Sequence, residues 1–167
     1  MSWMLRGIVC AVLVVGSLLV WNEFGNEFWS ERTGRNVVAA QGRTPIRATR
    51  IFTGPDGQTH AEEVDVKLLL GARPGEQLSE MIQGTGVQFR RTAPNYFNDW
   101  HPAPRRQYVV TLSGRAEIEL AGGRKIPIGP GHVLLAEDLA GKGHITRGVG
   151  SEDRISVVIP LAPLAGQ

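Results

Sequence analysis

From His101 to His144 the chain shows no helical period, and Gly or Pro stands at every junction between short β-rich runs. Those runs occupy residues 107–113, 116–120, 124–128 and 132–136. In Ala116-Glu117-Ile118-Glu119-Leu120 the alternation is strict, which turns Ala116, Ile118 and Leu120 to a buried face and Glu117 and Glu119 to water. A strand of that pattern belongs in a half-buried antiparallel sheet. Ala121-Gly122-Gly123 supplies residues tolerant of positive φ for a hairpin, and Gly129-Pro130-Gly131 makes a second tight reversal. A chain that turns this often folds as a small all-β barrel, and His101 and His144 fall at the mouths of its strands.

The length of 167 residues suits one such domain, and 42% hydrophobic residues with 21 Gly and 10 Pro allow a core and frequent turns together. The formal charge of +2 is mild, and the arginines are scattered among acids without interleaved aromatics, so no nucleic-acid partner is expected. There is no phosphate-cradling Gly-rich loop before a helix, no Cys-x-x-Cys pair and no Gly-x-Ser-x-Gly elbow. Nucleophilic catalysis has no support. The single cysteine, Cys10, allows no intrachain disulfide and reads as a small apolar filler.

The first forty-five residues differ in kind. Arg6 precedes an uncharged run at residues 7–21, after which Asn22, Glu23 and Glu27 return the chain to water. The run is short for a membrane-crossing helix, which needs about 20 apolar residues, and has the length of a signal peptide's apolar region. Small residues suited to cleavage do not follow it, and the nearest pair is Ala39-Ala40. An uncleaved signal anchor over residues 1–21 is therefore expected, an N-terminal hydrophobic helix with residues 1–6 cytoplasmic and the domain exported; secretion after cleavage at Ala40 is the alternative. Residues 22–45 read as a tether and residues 46–163 as the β-domain.

The order of an early histidine, a strand ending in Leu112-Ser113-Gly114, a Pro130-Gly131 turn and a late histidine resembles the cupin superfamily over residues 47–163. Counted back from Gly114, Gln107 stands where the family's first motif has Glu, Ala103 where it has its second His, and His101 on its first His. The second motif maps as Leu139, Gly141 and His144, with Leu in place of Pro. The strings Trp100-His101-Pro102-Ala103-Pro104-Arg105-Arg106-Gln107 and Ala136-Glu137-Asp138-Leu139-Ala140-Gly141-Lys142-Gly143-His144 look like a branch of small cupins without a secure activity. The resemblance implies a single antiparallel jelly-roll barrel, a second copy as partner, and a divalent transition metal (Fe, Mn, Ni or Zn) in the barrel.

In that register His101, His144 and Gln107 point to one cavity, but half of the family's usual four-ligand set is missing, and a neutral amide oxygen is a weaker ligand than a carboxylate. His60 or Glu62, just ahead of a strand expected at residues 64–70, is a candidate to complete the sphere, although a solvated turn residue is the commoner role. Arg105 and Arg106 are adjacent, so in a strand they face opposite ways; one is expected to fork onto a substrate carboxylate beside Gln107, the other to be solvated or paired with Glu137 or Asp138. Glu137 and Asp138 are also candidates for a general acid or base next to His144, against a salt-bridged loop role. Two functions follow: a metal-dependent enzyme of oxygenase, isomerase or lyase type acting on a small organic molecule, or a metal-free module that binds one.

Overall fold

A computed structural model describes residues 43–162. The anchor and nearly all of the tether lie outside these residues, and among the described residues no helix is long and apolar enough to cross a membrane. Twelve strands follow one another: β1 (Arg47–Thr53), β2 (Thr59–Asp65), β3 (Leu69–Leu70), β4 (Gln77–Leu78), β5 (Gln88–Thr92), β6 (Phe97–His101), β7 (Gln107–Ser113), β8 (Arg115–Glu119), β9 (Lys125–Ile128), β10 (Val133–Glu137), β11 (His144–Val149) and β12 (Arg154–Pro160). A six-stranded sheet has the order β2-β1-β10-β7-β12-β5 and a four-stranded sheet the order β6-β11-β8-β9, while β3 and β4 pair as a small ribbon.

The orders β5-β12-β7-β10 and β6-β11-β8-β9 are those of two interlocked Greek keys, the jelly roll. The expectation of an antiparallel jelly-roll barrel is met in part. The barrel is not closed by hydrogen bonds: it is two open sheets, and two of their four edge strands, β2 and β9, carry charges and Pro127, features that discourage further pairing. It is also not wholly antiparallel, because β1 joins β10 in parallel before returning as β2. The strand expected at residues 64–70 is broken too, into the end of β2 and the two-residue β3.

Alternation decides what faces the core. Ala116, Ile118 and Leu120 from the β8 side and Ile126 and Ile128 from β9 are buried against Ile51, Val109, Leu134, Ala136 and Val158 of the larger sheet. Glu117 and Glu119, on the opposite face of β8, pair with Lys125 and Arg147. The hairpin after β8 turns on Gly122 and Gly123, with φ of 82° and 81°.

On the outer face of the larger sheet one carboxylate joins three segments. Glu137, at the end of β10, accepts from Arg50 of β1 at 2.6 Å and from Arg106, which leads into β7. Burial pushes the Glu137 carboxyl up, but the bonds from Arg50 and Arg106 together outweigh it and hold its pKa below the ordinary value. A carboxyl lowered in the fold stabilises it above the unfolded value, and that stabilisation is lost as pH falls through the folded value. Glu137→Gln is therefore expected to cost about 2 kcal/mol at about pH 7. In urea melts the gap to wild type should close as pH drops below the ordinary value of 4.5; a gap that persists in acid would contradict the assignment.

Candidate functional site

Between the sheets lies a cavity of about 290 Å³, near the small end of ligand sites. Its apolar lining is Val109, Ile118, Ile128, Leu134 and Ala136, together with Pro102, Ala103 and Pro104. Its polar lining comes from Tyr96, Asn98, His101 and Gln107, from His144 and Thr146, and from Arg90 and Arg154.

The two histidines meet because β6 and β11 pair with His101 opposite His144, which brings their ring centroids to 4.5 Å. Each ring is oriented through its Nδ1. His101 Nδ1–H donates to the carbonyl oxygen of Asp99 at 2.6 Å. His144 Nδ1–H donates to Asp138 Oδ2, also at 2.6 Å. In both rings Nε2 is then the nitrogen available to a ligand, the tautomer that hydrogen bonding at Nδ1 imposes. Asp138 is fully buried; its Oδ2 also accepts from the Thr59 hydroxyl, and its backbone oxygen accepts from the Ala103 amide. It acts on the cavity through His144, as a positioning residue.

The loop between β10 and β11 reaches this geometry through glycine. Gly143 has φ of 74°, and a Cβ there would collide with the carbonyl group of His101. Gly141, with φ of 75°, lies equally close to the carbonyl of Gly57. The Gly-Lys-Gly-His string is thus what allows the loop to lie flat on its neighbours before His144 enters β11.

Of the other residues expected at the site, Gln107 lines the cavity and is buried on the inward face it shares with Val109. Neither Arg105 nor Arg106 reaches the cavity: Arg105 is exposed, and Arg106 is held on the outer face by Glu137. Glu137 itself faces outward because β10 alternates and gives its inward positions to Leu134 and Ala136. His60 lies within β2 and bonds through Nε2 to Asp56 at 2.9 Å, beside a separate surface cleft. The structure therefore does not bring it to His101 and His144. Among the described residues, no three or more His, Cys, Asp or Glu side chains converge as a metal site would require.

Sequence reasoning missed Arg90 and Arg154. Burial is the main cause, and the like charge of Arg90 a second, of a pKa pushed down to about 10 at Arg154; burial also lowers Arg90. Their trace in the sequence is parity alone: Arg154 is spaced by two and four from Ser156 and Val158, all three buried on β12.

No family model matches the chain, and no curated protein matches it. Among solved structures it is similar to protein NMB1881 from Neisseria meningitidis, with 20% identity and a TM-score of 0.37 over 50% of this chain and 81% of that one. It is also similar to the conserved SPY1581 protein of unknown function from Streptococcus pyogenes, with 19% identity and a TM-score of 0.36 over 51% and 72%. A third is the capsular polysaccharide assembling protein CapF from Staphylococcus aureus, with 13% identity and a TM-score of 0.37, where 60% of this chain covers 32% of the other. At such identities and TM-scores nothing about ligand or activity passes from them to this chain.

Gly143→Ala tests the loop geometry. Adding one methyl against the His101 carbonyl at positive φ is expected to cost about 1–3 kcal/mol and to alter the His101 and His144 ring resonances in an NMR spectrum. A variant of wild-type stability with unchanged histidine resonances would show that the close approach is not needed.

Proposed function

We propose that this chain is a small single-domain cupin whose cavity binds a small organic molecule, without a resident metal. One observation carries the reading: a cavity with apolar walls is also lined by two imidazoles whose Nδ1 atoms are both engaged, so that two Nε2 atoms remain to recognise a ligand. This is the usual composition of a ligand pocket, mostly apolar with a few placed polar groups.

The donor set does not fit the metal that the family resemblance implies. His101 and His144 would supply two good nitrogen ligands, but Gln107 adds only a neutral oxygen, and no carboxylate lines the cavity among the described residues. Arg90 and Arg154 place two guanidinium groups in the same space, which disfavours a divalent cation. Elemental analysis of protein purified without added metal is expected to find less than stoichiometric Fe, Mn, Ni and Zn. Stoichiometric metal that disappears in a His101→Ala, His144→Ala double variant would overturn the metal-free reading. Binding is tested separately by thermal melts against a library of small organic molecules, where a compound should raise the wild-type Tm and lose that effect in His144→Ala. A library with no effect, or an equal effect on both proteins, would contradict a ligand cavity.

We also propose that the domain is displayed on the non-cytoplasmic side of a membrane by the uncharged run at residues 7–21, which Arg6 precedes. Full-length protein should sediment with membranes and a chain beginning at Gly42 should not. Recovery of the full-length protein in the cytosolic fraction would remove the anchor.

A further inference from the structure

We propose that the end of the cavity formed by β5 and β12 binds the carboxylate of a small organic acid through Arg90 and Arg154. The proposal rests on the reading of the cavity as a ligand site, and names the class of ligand.

The register places the two arginines. In the β5–β12 pair Arg90 stands opposite Ser156 and Arg154 opposite Thr92. Arg154 and Ser156 share the inward face of β12, so Arg90 and Arg154 are diagonal neighbours on one face, and both line the cavity. Arg154 is only 5% exposed. The Nε of each is buried without a hydrogen-bond partner, and among the described residues neither forms an ion pair. Arg91, the neighbour on the opposite face of β5, shows the contrast: it is exposed and lies 3.7 Å from Asp153.

The polar groups without partners continue along the same row. Ser156 is in register with Thr111 of β7, and both hydroxyl oxygens are buried with no partner, behind the residues that line the cavity rather than among them. A buried cation with no counter-charge is an unfavourable arrangement that an anion entering the cavity corrects. The forked guanidinium matches the two oxygens of a carboxylate, and two guanidiniums can share one or take two. The walls formed by Val109, Ile118 and Leu134 require that the rest of the molecule be partly apolar, which favours an organic acid over a bare inorganic anion.

The test uses full-length protein and five probes: benzoate and succinate, their neutral amides benzamide and succinamide, and inorganic phosphate. Affinity is read by calorimetry on wild type, Arg90→Gln, Arg154→Gln and the control Arg91→Gln. At least one carboxylate is expected to bind wild type about tenfold or more tighter than its amide, to lose about tenfold in either cavity variant, and to be unaffected by Arg91→Gln. Because a buried charge without a partner is removed, ligand-free Arg154→Gln should melt no lower than wild type, and circular dichroism confirms that each variant is folded. Equal binding of acid and amide, unchanged in the arginine variants, would overturn the proposal and leave the ligand cavity standing. Binding of phosphate alone would overturn the carboxylate assignment. Failure of both carboxylates and phosphate to bind would reject an anion site, while the library melts judge the cavity independently. A lower ligand-free Tm in Arg154→Gln with undiminished carboxylate binding would make these arginines part of the framework instead.

Discussion

The buried carboxyl group of Asp138 is the point on which the histidine side of the cavity depends. It has no exposed surface, and it binds the imidazole of His144 and the hydroxyl of Thr59, while its backbone oxygen holds the amide of Ala103. Those contacts tie β2, the loop before β7 and the start of β11 to one residue. A charged or strongly polar group taken out of water is tolerated only when its hydrogen bonds are made, so the partners cannot drift apart without a large penalty. Its other oxygen, Oδ1, is buried with no partner among the described residues.

Neighbouring residues divide the labour. Glu137 and Asp138 follow one another, and the alternation of β10 sends the first outward to Arg50 and Arg106 while the second turns in to His144. One carboxylate therefore fastens the sheet and the next orients the site. The same economy holds for Arg90 and Arg91, where one guanidinium faces the cavity and the other faces solvent beside Asp153.

Much of the fold was legible because the alternation in residues 116–120 and the glycines at 122, 123 and 131 leave few ways to run the chain. The strand at Gln107–Ser113, the turns that follow and the meeting of His101 with His144 all appear in the structure. The parallel pairing of β1 with β10 is not legible, because nothing in a sequence shows which edge an added strand joins or in which direction. The pairing of Arg106 with Glu137 is one of the roles the sequence offers for this pair, whereas neither arginine enters the cavity, because both precede β7, where strand parity does not yet apply. Arg90 and Arg154 were missed for a different reason. They lie far apart in the chain, and only the register of β5 on β12 shows that they share a face.

The central claim is that hydrogen bonding at Nδ1 fixes both cavity histidines so that Nε2 faces the ligand. Long-range 1H–15N correlation of the imidazole nitrogens in ligand-free protein tests it most directly. His101 and His144 should both carry a proton on Nδ1, and Asp138→Asn should disturb His144 while leaving His101 as it was. An Nε2–H tautomer at either ring in wild-type protein would contradict the account.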